Sequence, residues 1–226
     1  MNLLKTEGII LRSIPFQDYD QILMLYTPDH GLISAVVKAA RSQRRQLSSA
    51  ISPLNRVELV FKRGKQDLHA CRELSVLNHH LFLRENNELL KTACEFAQAI
   101  RTSQLPEKPS PELYTLLIKM IERIPETSAL SSLLTAFRLK IIHHDGLLRW
   151  SSACSNCHKT LEDPHFYKGE PFCSEHCPSG GMRFSHREFQ QLEALINSRS
   201  FHRIEAIPVT ETLSFNIKSL FEIIYL

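Results

Sequence analysis

The sequence predicts an α+β protein, with a small N-terminal β-barrel followed by an all-helical domain that is interrupted by a four-cysteine module. Three observations carry this reading. The first 80 residues break into short apolar runs separated by turn residues, residues 81–226 place their apolar side chains at spacings of three and four, and Cys154, Cys157, Cys173 and Cys177 fall within 24 residues. A two-residue period belongs to strands and a 3.6-residue period to helices, so the change near His80 separates a barrel over 1–80 from a helical domain over 81–226. At 226 residues and 43% apolar content, the chain can bury two modest cores.

The strands come first. Gly8–Ser13, Gln21–Tyr26, Leu32–Val37, Arg56–Phe61 and Leu68–Val76 are rich in Ile, Leu, Val and Phe. Thr27-Pro28-Asp29-His30-Gly31 reads as a turn, because Pro presets its backbone angle and Gly accepts a positive one. In Val57-Glu58-Leu59-Val60-Phe61 the odd positions share one face and are expected inside. Five short strands without a protected edge call for closure, so an OB-fold barrel is expected; an SH3-like barrel would give the same pattern.

Helices follow. Leu89, Ala93, Phe96, Ala97 and Ile100 form one stripe, and Ser110-Pro111 opens a second helix as cap and first residue. A third is expected from Ser128 to His144, burying Leu133, Phe137 and Ile141 and ending at Gly146. Ser185 and Glu188 form a capping box flanked by Phe184 and Phe189 as a hydrophobic staple. A last helix is expected from near Thr212.

The cysteines are spaced Cys154-x2-Cys157 and Cys173-x3-Cys177, with 15 residues between the pairs. Paired thiolates two or three residues apart reach one ion from a tight turn, and four soft sulfurs suit tetrahedral zinc. One structural Zn2+ is therefore expected in a module over 151–180. With four cysteines closing the site, His158, His165 and His176 are expected beside it rather than on the ion. Catalytic zinc needs an open position and an activating acid, and no His-x-Glu segment followed by Pro-Cys-x-x-Cys precedes Cys154. Phe166 to Glu170 is expected to form the connecting hairpin, its aromatic rings packed over the module.

Charge is distributed unevenly. Residues 1–80 hold 11 Lys and Arg against 7 Asp and Glu, whereas the remaining 146 hold 16 against 17, so the excess positive charge lies in the barrel. Lys38, Arg41, Arg44, Arg45, Arg56, Lys62, Arg63 and Lys65 are opposed in that stretch only by Glu58. Such cations on strand ends and loops suit a phosphate backbone, so a DNA-binding face is expected there. Candidate stacking residues are few: Phe16, Tyr19 and Tyr26, with Phe61 assigned to the core. Phosphate contact without base selection follows. With no apolar run near 18 residues and no signal-peptide pattern in the opening MNLLKTEG, a cytoplasmic location away from membranes is expected.

Several of these segments resemble one known family. Glu7-Gly8-Ile9-Ile10-Leu11-Arg12, Asp20 to Thr27 with Gly31, the basic stretch Lys38 to Arg45 before Ser52-Pro53-Leu54, and Phe137-Arg138-Leu139 with Gly146-Leu147 ahead of the cysteines are similar, in order and spacing, to the RecO family of bacterial recombination mediators. Where that family commonly has glycine, this chain has Ala39 and Ala40. The resemblance implies an OB-fold barrel with a zinc-bearing helical domain, binding to single- and double-stranded DNA, strand annealing, and a bacterial, nucleoid-associated location. It implies partnership with RecR, capture of the C-terminal tail of single-stranded-DNA-binding protein, and loading of RecA. No covalent chemistry is implied, in keeping with the lack of a phosphate-loop motif. The competing readings are a zinc-containing nucleic-acid-binding regulator, a protein-interaction scaffold, and an enzyme using Cys71 or Cys94, which no spacing supports.

Overall fold

The computed structural model describes residues 3–40, 48–64 and 67–226. Met1–Pro125 and Glu126–Leu226 form two compact units. Strands give way to helices at His80, but the first unit runs on to Pro125 because the first two helices pack on the barrel.

Five strands, β1 (Leu3–Phe16), β2 (Asp20–Thr27), β3 (Gly31–Val37), β4 (Arg56–Lys62) and β5 (Leu68–Asn78), close into a barrel of order β1-β2-β3-β5-β4. All pairings are antiparallel except β3 with β5. This is an OB-like closure. On β4 the alternation is complete, with Val57, Leu59 and Phe61 fully buried in the barrel core. On β1 it breaks at a bulge between Ile10 and Arg12. Ile9, Ile10 and Leu11 are consequently all buried, which strict alternation would forbid, and Arg12 emerges on the surface.

Both ends of the long β3–β4 connection are pinned to the barrel. At its start, Asp20 accepts from the Ala39 N–H at 2.9 Å and pairs with Lys38 at 3.0 Å. Ala39 adopts a left-handed φ of 52°, the conformation that favours glycine, while the Ala40 methyl packs into the barrel core. The two alanines thus do different work, one in the turn and one in the core. At the far end, the Leu54 N–H donates to the Ile10 carbonyl at 2.7 Å, and the buried Asn55 amide donates to the Ser49 and Ala50 carbonyls.

Helix α1 (Asn87–Ser103) is capped by Asn86, and α2 (Pro111–Arg123) by the Ser110 hydroxyl with Pro111 at the first position. Tyr114 of α2 meets Tyr26 of β2 with ring centroids 6.2 Å apart. In the second unit, α3 (Leu130–His144) packs against α4 (His186–Asn197), α5 (Phe201–Glu205) and α6 (Glu211–Tyr225). The capping box at Ser185 is formed, Gly146 follows the end of α3 at φ 71°, and α6 starts after a Thr210 cap, slightly ahead of expectation. Helix α5 was not legible, since five residues offer no period to read.

Arg138 and Lys140 of α3 are both turned inward. Arg138 is buried, and the Lys140 ammonium donates to the Ile196 and Ser198 carbonyls at 2.9 and 2.7 Å, supplying partners that the end of α4 leaves unsatisfied. Burial lowers the pKa of this lysine.

Candidate metal centre and nucleic-acid interface

The cysteine module is built from two turns facing each other across a small hairpin. Strands β6 (His165–Tyr167) and β7 (Glu170–Phe172) are joined by Lys168 and Gly169, both at positive φ, the geometry a two-residue hairpin loop requires. β6 also pairs with β8 (Met182–Arg183). In the first turn the Cys154 N–H donates to the Lys159 carbonyl, and the His158 N–H returns to the Cys154 carbonyl. In the second, the His176 and Cys177 N–H groups both donate to the Cys173 carbonyl.

These turns bring together Cys154, Cys157, Cys173 and His176, whose donor atoms all lie within 4.8 Å of one another. Cys157 and Cys173 sulfurs are 3.9 Å apart, and Cys173 Sγ is 3.1 Å from His176 Nδ1. The sulfur separation matches the edge of a tetrahedron with zinc–sulfur bonds of about 2.3 Å. Burial opposes ionisation of Cys154, but the backbone N–H groups of Cys157, Cys173 and Asn156 aim at its sulfur and outweigh it, holding the thiol below the usual range. The donor set fits zinc.

The expected four-cysteine set is therefore corrected to three cysteines and one histidine. Cys177 directs its sulfur toward the Pro178 carbonyl at 3.4 Å and lies so close to Gly181 that a Cβ there would sit 2.0 Å from the sulfur. Cys173-x2-His176 repeats the spacing of Cys154-x2-Cys157, so the signal for His176 was present in the sequence but was hidden by the adjacent cysteine. A direct consequence is that His176→Ala releases metal more readily in a chelator titration, whereas Cys177→Ser retains it. The reverse order of sensitivity would return Cys177 to the ligand set.

Aromatic rings tie the module to α4. Phe166, at the centre of β6, is 1% exposed. It packs on Trp150 at 5.4 Å, Phe184 at 5.8 Å and Phe189 at 6.1 Å, and Trp150 stacks on Phe189 at 4.4 Å. The two staple residues thus meet across Phe166, and the module braces the start of α4.

Among the described residues, the basic side chains do not form a single array. Register across β3, β5 and β4 aligns Val36 with Ala70 and Ala70 with Lys62, which brings Lys62 toward the end of β3 that carries Lys38. Lys62 and the exposed Arg63 pair with no carboxylate among the described residues. Lys38 is 72% exposed yet shares its charge with Asp20. Arg56 stands at the opposite end of β4, half-buried and bonded to Glu7 at 2.7 Å, beside Tyr114. That bond raises its pKa and commits its charge to the barrel–α2 contact. Arg41, Arg44, Arg45 and Lys65 lie outside the described residues. Among the stacking candidates, Tyr26 is fully buried, Phe16 is half-buried and Tyr19 is 61% exposed.

No helix among the described residues is long and apolar enough to cross a membrane. Comparison with known proteins adds two family-model matches, one described as Recombination protein O N terminal over residues 1–80 and one as Recombination protein O C terminal over residues 93–217. The chain is 27% identical over 199 residues to a DNA repair protein RecO from Chlamydia trachomatis serovar L2, covering 87% of this chain and 82% of that one. It is 27% identical over 201 residues to the Chlamydia pneumoniae protein of the same name, covering 88% and 79%. With the Prosthecochloris aestuarii protein of that name it shares 32% over 123 residues, 54% of this chain and 47% of the relative.

Proposed function

Starting from the fact that this chain belongs to the recombination protein O family, we propose that it is a bacterial recombination mediator that binds single- and double-stranded DNA, anneals complementary strands and helps load RecA onto single strands coated by single-stranded-DNA-binding protein. Family membership makes it a DNA-repair protein without a covalent reaction of its own. The observation that carries the finer reading is the gathering of the chain's excess positive charge on a closed barrel.

Annealing needs two polyanions brought together with their base edges left free. Lys38, Lys62 and Arg63, joined by Arg41, Arg44, Arg45 and Lys65, neutralise phosphates and release counterions, which lowers the repulsion between strands. Of the candidate stacking aromatics, Tyr26 on β2 is withdrawn into the core, and Phe61 on β4 is equally buried. Base stacking is therefore sparse, and binding tolerates any sequence.

In the second unit, Cys154, Cys157, Cys173 and His176 would hold one structural Zn2+, which when bound fixes the two turns against each other and closes its own coordination sphere. The chain's part is to hold three thiols and an imidazole at one point and to couple them through Phe166 to α4. This rigid helical unit is the natural platform for protein partners, namely RecR and the C-terminal tail of single-stranded-DNA-binding protein. The test is the rate at which bare complementary strands anneal. Acceleration that is indifferent to sequence is expected; a regulator would act only on its own element, and a scaffold would leave the rate unchanged.

A further inference from the structure

A cleft of about 410 Å³ lies between β1 and α1, within the first unit. Its apolar wall includes Leu11, Leu54 and Ala97, and its charged rim is Arg12, Lys91 and Arg101. The β1 bulge sets up both halves of this arrangement, since it turns Leu11 into the wall and Arg12 out to the rim. On α1, Lys91, Cys94, Gln98 and Arg101 follow one another at spacings of three and four, so a single stripe of the helix faces the cleft.

The two arginines are an unexplained expense in the folded barrel. Arg101 is half-buried and its charged form is disfavoured, first by desolvation and then by Arg12 facing it. Neither guanidinium pairs with a carboxylate among the described residues. Glu95, the acidic residue of the cleft, already has an interaction of its own. A half-buried guanidinium facing a second, exposed one, with no carboxylate partner among the described residues, is a feature that folding alone disfavours and that an anion would relieve. Guanidinium pairs suit phosphate, with forked donors matching two oxygens at once.

Position selects the anion. The Pro53–Leu54 wall is the return of the same connection that starts at Lys38, and it is held to β1 by the Leu54–Ile10 hydrogen bond. The cleft therefore lies where the basic connection rejoins the barrel. Lys91 and Arg101 are ten residues apart along α1, about 15 Å of helix. Cations spread over that length suit a repeating polyanion better than one terminal carboxylate.

We infer that the β1–α1 cleft is a phosphodiester-binding site that receives single-stranded DNA passing from the basic connection onto α1. The inference rests on the DNA-binding reading above and extends it to three residues that the charge run of 38–65 does not include. It gives α1 a DNA-contacting face. It also explains why Arg12 and Arg101 have no carboxylate partner among the described residues.

The test uses Cys94, an exposed thiol lining the cleft, as a reporter. Full-length protein is titrated with an oligo-dT strand by fluorescence anisotropy, and maleimide labelling of Cys94 is followed by peptide mass spectrometry with and without the strand. Expected are protection of Cys94 in the wild type, roughly ten-fold weaker binding with lost protection in Arg12→Ala/Arg101→Ala, and near-complete retention in Arg12→Lys/Arg101→Lys. Removing two repelling charges should leave the melting temperature unchanged or higher, so weakened binding in the alanine pair will not reflect misfolding. Unaltered affinity in the alanine pair, with Cys94 labelled as fast as in free protein, overturns the cleft while the DNA-binding reading stands, provided Lys38→Ala/Arg63→Ala weakens binding. Absence of oligo-dT binding by the wild type at low salt overturns both. Protection of Cys94 by an acidic apolar peptide, and not by oligo-dT, overturns the phosphodiester assignment in favour of a protein partner.

Discussion

Cys154→Ser and Cys173→Ser each release the metal and melt the 126–226 unit at markedly lower temperature than the wild type. The size of the effect follows from what the ligands hold. Binding of structural zinc contributes about 10–16 kcal/mol in small zinc modules, comparable with the whole stability of a typical domain at about 5–15 kcal/mol. The described module has little else to close it, because β6 and β7 are three residues each and β8 is two. Damage would spread beyond the module. Phe166 is fixed on one side by the hairpin and on the other by Trp150, Phe184 and Phe189, so loosening the hairpin frees the ring cluster that seats the first turn of α4. Cys154 should be the more sensitive of the two, being fully buried and the convergence point of three backbone N–H groups. Zinc content by elemental analysis and unfolding by calorimetry check the result. Unchanged metal content and melting temperature in both variants would show that the cluster has no structural role.

Arg44→Ala/Arg45→Ala weakens DNA binding by roughly 10–100-fold at moderate salt, and by the same factor on every sequence tried. Each lost phosphate contact should also flatten the dependence of affinity on salt, by about 0.7 in the log–log slope for a single strand, so the double variant loses about 1.4. Slope and affinity together distinguish phosphate neutralisation from a general loss of folding, which would lower the active fraction without changing the slope. Arg56→Ala is the informative contrast. Its guanidinium is bonded to Glu7 beside Tyr114, so its removal should cost stability and leave the salt slope close to that of the wild type. A sequence-dependent loss, or an unchanged slope in the double variant, would contradict backbone contact at these arginines.

Much of this fold was legible because local signals and tertiary demands agreed. The alternation Val57, Leu59, Phe61 marked an inner face that the barrel fills, and Ser110-Pro111 and the Ser185–Glu188 box marked helix starts that the structure keeps. The first strand was read as half its true length. Its bulge at Leu11 interrupts the two-residue period, and Leu3 to Glu7 owe their strand conformation to pairing with β4, a contact far away in sequence. The metal site was legible to three ligands of four. Spacing alone does not say which of two adjacent donors points inward, and here the packing of Cys177 against Gly181 decides it. Charge patterns were the weakest guide. Arg56 read as a cation of the DNA-facing stretch, yet an ion pair with Glu7 claims it. Arg12 and Arg101, 89 residues apart, line one cleft only once α1 has folded back against β1.

The mediator reading is tested most directly by annealing complementary strands already coated with the cognate single-stranded-DNA-binding protein, comparing the wild type with Arg44→Ala/Arg45→Ala. The account predicts faster annealing with the wild type and little or none with the double variant at equal metal content. Coated strands that anneal no faster with folded, zinc-loaded wild-type protein than without it would contradict the mediator role.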